Sequence, residues 1–352
     1  MSISCRLCGN SNLVSVLDLG ASPPCESFLS EEQLDQPEVT YPLHLRLCPD
    51  CLLLQIPALI TPEETFGGDY AYYSSYSSSW VEHARRFVNQ AVESLGLGPD
   101  GFVVEVAAND GYLLQHVVNL GIRCLGIEPS LNCSETARAK GIPMLRAFLD
   151  EETAAQVRAE HGPADLVVAN NVFAHIPDIT GFASGLRGLV ADTGRVSIEV
   201  HHALSLITAA QFDTIYHEHF QYWTVLAARH GLATGGLRLV DVELLPTHGG
   251  SIRLWAAPEE TDFAEHPRVA EIEAVERAAG LDGPEGYLGL AQRAAGIRDD
   301  LVAFLIEARR AGRRVVAYGA PGKGNTLLNY CGIRPDLLAY AADRNTFKHG
   351  RY

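Results

Sequence analysis

The sequence of 352 residues contains no apolar run long enough to cross a bilayer. Its N-terminus also lacks the basic stretch followed by an apolar stretch that marks a secretory leader. No long low-complexity run is present, and charged residues make up only 20% of the chain against 47% hydrophobic residues. These absences argue against a membrane-spanning protein and against a largely disordered one. We expect a cytoplasmic, globular protein of two or three domains.

Basic residues are scarce. The chain has 27 Lys and Arg against 43 Asp and Glu, which gives a net charge of −16 at pH 7. Such a charge repels nucleic acids and anionic lipid headgroups at long range. We therefore expect no nucleic acid and no membrane surface among the partners, although a local basic pocket for a single nucleotide is compatible with this balance. We expect the protein to be a monomer.

Eight cysteines are present, and four of them form two pairs at matched spacing. Cys5-x-x-Cys8 and Cys48-x-x-Cys51 are the arrangement in which two chain knuckles supply four thiolates to one tetrahedral zinc ion. The sequence predicts a structural zinc site at these four residues, which would hold together a segment too short to fold alone. The alternative is that they are ordinary buried or redox-active cysteines.

The centre of the chain alternates strand-like and helix-like stretches. An apolar run at 102–107 is followed by a tight turn at 108–111, a second short strand ends at Glu128, and a third ends at Asn170. Strands that alternate with helices predict a parallel α/β sheet, with the ligand at the carboxyl ends of its strands.

Glu128 lies 23 residues beyond Glu105, at the position where a carboxylate accepts hydrogen bonds from ribose hydroxyls. The glycine pattern that a pyrophosphate requires is absent, so S-adenosylmethionine fits better than NAD; the alternative is an unliganded turn. The expected cofactor-binding residues are Glu105, Ala107, Asn109, Asp110, Gly111, Tyr112, Leu113, Glu128, Pro129, Phe148, Leu149, Asn170 and Asn171.

A histidine-rich motif at 216–220 carries the densest set of reactive side chains. Histidine titrates near neutral pH, and the adjacent Glu218 could orient His219 as a general base if the motif forms a turn. Ligation of a metal by His217, His219 and His175 and an ordinary exposed polar loop are the alternatives.

Two further segments are candidates for ligand contact. The tyrosine-rich stretch at 67–76 is predicted to be a loop, which either covers a ligand or packs between domains. At 319–326, Gly319 and Gly324 have P-loop spacing, but Asn325 stands where a phosphate-binding lysine is required, which excludes a Walker-type NTPase. Lys323 could still bind a diphosphate, and simple turn glycines are the alternative.

Seven motifs in this order resemble the three-domain sugar C-methyltransferases of antibiotic deoxysugar pathways. They are the four-cysteine knuckles, D-Y-x-Y-Y-S-S at 69–75, E-V-A-x-N-D-G-Y-L-L at 105–114, A-N-N-V-x-A-H-I-P at 169–177, Y-H-E-H-F at 216–220, H-G-G-S-I-R at 248–253 and K-G-N-T-L-L-N at 323–329. The resemblance covers nearly the whole chain.

The resemblance implies an α/β protein with a zinc-binding domain at 1–68, a Rossmann-like S-adenosylmethionine domain at 69–256, and a second Rossmann-like, nucleotide-sugar-binding domain at 257–352. We expect this last domain to be incomplete, because the chain ends before the family's C-terminal domain usually does. The implied reaction is methylation of C-3, next to the ketone of a dTDP-4-keto-deoxysugar. Methylation at C-5, an amine or hydroxyl acceptor, and a zinc-containing interaction protein with a degenerate nucleotide fold are the alternatives.

Carried over residue by residue, the resemblance implies that His219 is the base and that Glu218 orients it. Tyr216 and Tyr70 would place hydroxyl groups near the sugar and its developing enolate, and His175 is a rival base or a gate at the methyl site. The expected substrate-binding residues are Tyr72, Tyr73, His248, Ser251, Arg253, Lys323 and Asn325.

Overall fold

The computed structural model describes residues 3–68, 70 and 72–352, and the chain divides into two compact units. Unit 1 comprises Met1–Ile60, Ala203–Tyr222 and Arg277–Tyr352, and unit 2 comprises Thr61–His202 and Trp223–Glu276. Asp69 and Ala71, which belong to the tyrosine-rich motif, lie outside the described residues, as does the start of the expected second domain at residue 69. The division into three contiguous domains stays a prediction.

The described residues form thirteen strands and eleven α-helices. The strands are β1 Val14–Ser22, β2 Tyr41–Leu47, β3 Leu54–Gln55, β4 Phe102–Val106, β5 Arg123–Ile127, β6 Met144–Leu145, β7 Ala164–Asn170, β8 Val190–His201, β9 Gln221–Tyr222, β10 Leu237–Leu245, β11 Ser251–Pro258, β12 Ala317–Tyr318 and β13 Ala341–Ala342. The helices are α1 Pro62–Phe66, α2 Ser78–Leu95, α3 Leu114–Asn119, α4 Leu131–Ala139, α5 Glu151–His161, α6 Ile179–Leu189, α7 Ala203–Thr208, α8 Val225–Ala233, α9 Pro267–Ala278, α10 Leu290–Arg310 and α11 Gly322–Tyr330.

Unit 2 is built on a seven-stranded sheet with strand order β10-β11-β8-β7-β4-β5-β6. Strands β8, β7, β4, β5 and β6 pair in parallel, and β11 runs antiparallel to both of its neighbours. All five residues of β4 are buried, as expected of a strand covered on both faces. The parallel sheet expected from the sequence is confirmed, with one antiparallel strand added to it.

The first long helix of unit 2 is α2, an amphipathic helix with clear end signals. The Ser77 side chain accepts a hydrogen bond from the backbone N–H of Trp80, and Gly96 ends the helix in the left-handed conformation. One face of α2 buries Trp80, Ala84, Phe87, Val88 and Ala91. This apolar stripe joins the core that covers one face of the sheet.

Unit 1 contains a four-stranded antiparallel sheet with strand order β1-β2-β3-β9. Leu43, Leu45 and Leu47 alternate along β2 with more exposed residues and are almost completely buried. Residues of α7 and α10 pack against them in one core. At the C-terminal end, β12 and β13 pair in parallel and are connected through α11, which forms one βαβ unit.

The α/β class expected from the sequence is confirmed. Of the helices in the described part of the chain, none combines the length and the hydropathy needed to cross a bilayer.

Candidate functional site

The four cysteines of the two knuckles converge in unit 1. The sulfur atoms of Cys5, Cys8, Cys48 and Cys51 lie within 4.8 Å of one another, with 3.4 Å between Cys5 and Cys51 and 3.4 Å between Cys8 and Cys48. A tetrahedral ion with bonds of about 2.3 Å to sulfur separates its ligands by roughly 3.8 Å. The four sulfur atoms therefore fit one zinc ion.

The two knuckles share one backbone geometry, and this geometry brings the cysteine pairs together. The carbonyl of Cys5 accepts from the N–H of Gly9 at 2.8 Å, and the carbonyl of Cys48 accepts from the N–H of Leu52 at 3.0 Å. Gly9 and Leu52 both adopt the left-handed conformation, with φ of 78° and 62°. Leucine is a costly residue at such a position, so closure of the second knuckle over a metal must compensate for the strain.

The surroundings of Cys5 favour a thiolate. The Cys51 thiol and the backbone N–H groups of Cys8 and Leu7 donate to the sulfur of Cys5, and although burial opposes them they lower its pKa to about 4. Thiolates are the form in which cysteine binds zinc. By contrast, burial raises the pKa of Cys48 to about 11, and the bond with Cys5 raises the pKa of Cys51. The fit to zinc therefore rests on the four converging sulfur atoms, whose thiolate form a bound cation would favour.

In unit 2, the loop after β4 curls back at the carboxyl end of the sheet. Ala107, Asn109 and Gly111 all have positive φ, of 56°, 48° and 77°. A side chain at Gly111 would have its Cβ only 2.3 Å from Ile142, so this turn requires glycine. The loop thus has the tight backbone that the sequence motif predicts, with alanine in place of the first glycine of the dinucleotide pattern.

Two polar side chains at this edge of the sheet fit the cofactor. Glu128 is 4% exposed, and its two carboxylate oxygens accept hydrogen bonds from the backbone N–H groups of Asn109 at 2.8 Å and Ser130 at 2.9 Å. Each oxygen keeps a further lone pair, which can accept from a ribose hydroxyl. Asn170 ends β7, and its buried Oδ1 atom has no hydrogen-bond partner among the described residues. Such an acceptor is available to a hydrogen-bond donor of a bound ligand.

Glu105 lies deeper than these residues and is fully buried in β4. Burial raises the pKa of Glu105 well above its usual range, although the Tyr112 hydroxyl and the Leu114 backbone N–H oppose this shift. Both carboxyl oxygens are buried without a geometric hydrogen-bond partner in the described part of the chain, a setting that disfavours the charged form. Phe148 and Leu149 occupy the loop between β6 and α5. Pro129 lies two residues after β5, and Asn171 directly follows β7.

The tyrosine-rich segment is anchored to the cofactor loop. The backbone N–H of Ser74 donates to Asn109 Oδ1 at 2.9 Å, and Asn109 Nδ2 donates to the carbonyl of Tyr72 at 3.1 Å. Ser75 bonds to the Asp110 carboxylate through both its backbone N–H and its hydroxyl. Both Asn109 and Asp110 were expected to contact the cofactor, and they also fix the segment beside it.

His175 and Tyr70 share an aromatic neighbour in unit 2. The Phe66 ring contacts the Tyr70 ring edge-on at 5.0 Å between centroids and the His175 ring edge-on at 5.5 Å. Asn132 holds this end of the segment through Tyr70 N–H, the Tyr70 carbonyl and the Tyr73 hydroxyl. The structure thus gathers two of the five expected catalytic residues around Phe66.

The other three expected catalytic residues lie in unit 1, in a turn. The backbone N–H of His219 donates to the carbonyl of Tyr216 at 2.9 Å, and the rings of these two residues are in contact, with centroids 3.9 Å apart. The motif therefore forms the turn that the role of Glu218 as an orienting group requires. Nδ1 of His219 lies 2.9 Å from the carbonyl of Thr214. A carbonyl only accepts, so Nδ1 carries the proton and Nε2 is the basic nitrogen of the neutral ring.

Glu218 is buried beside Cys25. The Cys25 thiol donates to Glu218 Oε1 at 3.5 Å. Burial and the Glu218 carboxylate raise the pKa of the Cys25 thiol well above its usual value. Burial, followed by the neighbouring Cys25 and Glu218, raises the pKa of the Tyr216 hydroxyl. Both groups therefore remain protonated donors near neutral pH.

The glycine loop before α11 approaches this turn within unit 1. A Cβ at Gly322 would lie 3.3 Å from the Cys25 sulfur and 3.8 Å from the Tyr216 ring. Asn325 Nδ2 donates to the carbonyl of Pro23 at 3.1 Å. Lys323 and Asn325 both lie in the first half of α11, which begins at Gly322.

A cavity of about 630 Å³ in unit 2 brings together three of the seven expected substrate-binding residues, Tyr72, His248 and Arg253. Ser251 lies next to them and donates from its hydroxyl to the carbonyl of Thr247 at 3.1 Å. Their neighbours Trp80, His83, Thr247 and Glu199 were not among the site residues expected from the sequence. An acidic residue within the apolar run of β8, like Glu105 in β4, was the signal that could have revealed Glu199.

The family described as a zinc binding domain matches residues 5–66, a methyltransferase domain family matches residues 80–242, and a C-methyltransferase C-terminal domain family matches residues 246–352. The C-methyltransferase NovU of Streptomyces niveus is 33% identical over 347 residues, which cover 99% of this chain and 82% of NovU.

Similarity to solved structures is weaker. The magnesium protoporphyrin IX methyltransferase ChlM of Synechocystis with bound SAH is 18% identical, covers 51% of this chain and 84% of its own, and has a TM-score of 0.39. An S-adenosylmethionine-dependent methyltransferase of Clostridium acetobutylicum is 12% identical, covers 51% of this chain and 92% of its own, and has a TM-score of 0.41. Neither similarity is strong enough to carry an inference.

The matched domain families, together with the similarity to NovU over 99% of this chain, show that the protein is an S-adenosylmethionine-dependent methyltransferase with a zinc-binding domain. Within that class the chain belongs to the C-methyltransferase family that includes NovU. The enzyme class, the cofactor and the zinc-binding part expected from the sequence are confirmed, and the interaction-protein alternative is excluded.

Proposed function

We propose that the enzyme methylates C-3, the carbon next to the ketone, of a dTDP-4-keto-deoxysugar, and that His219 is the base. The observation that carries this proposal is the bond from His219 Nδ1 to the Thr214 carbonyl, which leaves Nε2 as the basic nitrogen. An imidazole held in one tautomer by a backbone carbonyl is ready to accept a proton at the other nitrogen.

The chemistry needs an acidic carbon and donors for a developing oxyanion. The ketone acidifies the adjacent C–H bond, His219 Nε2 takes the proton, and the electron pair of that bond moves into the enolate. The Tyr216 and Tyr70 hydroxyls are the donors for the enolate oxygen, and the raised pKa of Tyr216 keeps its proton in place. S-adenosylmethionine, when bound, supplies an electrophilic methyl group on a sulfonium. Glu218 favours the imidazolium that forms after proton removal.

His175 is the rival base. It follows β7, whose carboxyl end belongs to the cofactor site, and its ring packs edge-on against Phe66. This packing is compatible with a gate at the methyl site as well as with a base. We assign it the gate, because the Thr214 carbonyl fixes the tautomer of His219 and makes His219 the proposed base.

Substrate binding is proposed at seven residues: Tyr72, Tyr73, His248, Ser251, Arg253, Lys323 and Asn325. Lys323 lies in the first turn of α11, where a cation and the helix N-terminus both attract the diphosphate of a nucleotide. The thymidine nucleotide, the C-3 rather than C-5 position and the monomeric state are parts of the same proposal.

Labelled S-adenosylmethionine incubated with a panel of dTDP-4-keto sugars, followed by location of the label by NMR, tests the substrate and the position. The base is tested by solvent deuterium exchange at the carbon next to the ketone. We expect His219→Asn to abolish exchange and methylation while it keeps S-adenosylmethionine binding. His44→Asn, a change on β2 in the same unit, is the matched control. Normal exchange in His219→Asn together with loss of exchange in His175→Asn would transfer the role of base to His175.

A further inference from the structure

The cavity in unit 2 is enclosed by elements that come from two distant stretches of the chain. One wall is the face of α2 that carries Trp80, His83 and Phe87, and the opposite wall is formed by the end of β10, the turn at 246–248 and Arg253 of β11. Its volume of about 630 Å³ lies in the range of small-molecule sites. The shape alone indicates that the cavity can hold a ligand of substantial size.

One buried carboxylate holds the walls of this cavity together. Glu199 is fully buried, and its Oε2 atom lies 2.7 Å from His83 Nε2 and 2.6 Å from Arg253 Nη2, while Oε1 accepts from the Thr247 hydroxyl at 2.8 Å. Burial alone would raise the pKa of Glu199, but the bonds from His83, Arg253 and Thr247 outweigh it and lower this pKa. Glu199 is therefore ionised, and α2, the turn and β11 are fixed relative to one another.

Both arginines that line the cavity already have carboxylate partners. Arg253 is bonded to the buried Glu199 behind the wall and lies 3.6 Å from the lining residue Glu243, and Arg86 lies 3.9 Å from Glu82. An anionic ligand would therefore meet guanidinium groups that are already paired, and the Glu243 carboxylate would repel it. This pairing favours a neutral ligand over a phosphate.

The rest of the lining combines ring faces with hydroxyl groups. Tyr72 and Trp80 supply aromatic surface, and Ser77, Ser79 and Thr247 supply hydroxyls. A sugar ring presents the matching chemistry, because it has an apolar C–H face and a rim of hydroxyl groups. Flat heterocycles use the aromatic surface but not the hydroxyl rim.

His83 supplies a directional acceptor. Its Nε2 must carry the proton because it faces the Glu199 carboxylate, and its ring stacks on Trp80 at 4.9 Å between centroids. The contacts given for His83 leave Nδ1 without a hydrogen-bond partner among the residues that the structure describes. In the neutral ring, Nδ1 presents a lone pair in an orientation that Glu199 and Trp80 fix.

We propose that this cavity binds the neutral, hydroxylated ring of a sugar and that Nδ1 of His83 accepts a hydrogen bond from a ring hydroxyl. The inference rests on the proposed function, since a sugar is the acceptor proposed there, and it adds His83 as a specificity residue. Because the paired charges disfavour an anion in the cavity, the diphosphate of the substrate would bind outside it.

The test uses the full chain and two probes, D-fucose as a neutral 6-deoxyhexose and D-fucose 1-phosphate as its anionic counterpart. Saturation-transfer NMR should show binding of D-fucose at least as tight as that of the phosphate. His83→Lys keeps a donor to Glu199 but removes the acceptor, and we expect it to weaken D-fucose binding about tenfold, the effect of one hydrogen bond. His161→Lys, an exposed histidine of the same unit, is the matched control.

A second variant tests the cavity independently of whether His83→Lys folds. Ser79→Trp fills the cavity from the first turn of α2 and should abolish D-fucose binding while leaving S-adenosylmethionine affinity unchanged. In methyl-transfer assays both variants should raise KM for the sugar more than they lower kcat. Binding of D-fucose that survives in both variants, or phosphate binding tenfold tighter than that of D-fucose, overturns the proposal.

The two proposals fail in distinguishable ways. If the wild-type enzyme methylates no keto sugar while D-fucose binding is present and is lost in His83→Lys, the proposed function fails and the cavity proposal stands. If methylation proceeds with unchanged KM in both cavity variants, the cavity proposal fails and the proposed function stands.

Discussion

Glu276 is a buried carboxylate on which the fold of unit 2 depends. It is 0% exposed, and its Oε1 atom accepts from the backbone N–H of Val225 at 2.7 Å and lies 2.7 Å from His202 Nε2. Oε2 accepts from the N–H of Leu226 at 3.0 Å. Thr224 accepts from the next free N–H of α8, that of Ala227. The side chain therefore satisfies backbone donors that a helix N-terminus otherwise leaves unpaired.

The structure sets the size of the effect expected from two substitutions. In Glu276→Gln, one oxygen can still serve Val225 and His202, but the amide NH₂ faces the N–H of Leu226, and one unsatisfied buried donor costs about 2 kcal/mol. Glu276→Ala orphans both N–H groups and removes the partner of His202, and we expect a loss of about 4 kcal/mol. Glu273→Gln, on the same helix, breaks a pair with the more exposed Arg229 and should cost no more than about 1 kcal/mol.

The assay exploits the distribution of tryptophan. All three tryptophans, Trp80, Trp223 and Trp255, belong to unit 2, so denaturant unfolding followed by tryptophan fluorescence reports on this unit. Each free energy of unfolding comes from linear extrapolation, which requires similar slopes among the variants. A loss below about 1 kcal/mol in Glu276→Ala, or equal losses in Glu276→Gln and Glu273→Gln, would refute the assignment of Glu276 as the N-terminal acceptor of α8.

Three further predictions address the metal, the cofactor and pH. Cys48→Ser should reduce the zinc content from about one ion per chain to a small fraction, measured by mass spectrometry of the metal, whereas Cys331→Ser should not change it. Glu128→Gln should weaken S-adenosylmethionine binding by one to two orders of magnitude in calorimetry, because a charged acceptor for the ribose is lost. Burial raises the pKa of Glu105 in the folded protein, so the stability that its protonated form contributes is complete below the pKa of the unfolded carboxyl group and is lost as pH rises. Glutamine does not titrate. The stability of Glu105→Gln relative to wild type should therefore increase with pH above about 4. A stability difference that stays flat with pH would contradict the last of these.

Local patterns were sufficient for the parts of this protein that depend on neighbours in sequence. The paired C-x-x-C knuckles predicted one metal site, and their sulfur atoms lie within 4.8 Å of one another. The apolar run at 102–107 predicted β4, and the turn after it was recognised because the residues that form it are adjacent. Spacing and residue type determine such features, since thiolate geometry and strand burial act over a few residues.

Tertiary structure decided which distant side chains meet. Nothing in the sequence joins His83 on α2 to Glu199 on β8 and Arg253 on β11, because β11 inserts antiparallel between β8 and β10 and brings its arginine to the buried carboxylate. The same holds for Glu276 and the N-terminus of α8, which are 50 residues apart. Burial of a charge is favourable only where several donors converge on it, and that convergence is a property of the folded chain rather than of any segment.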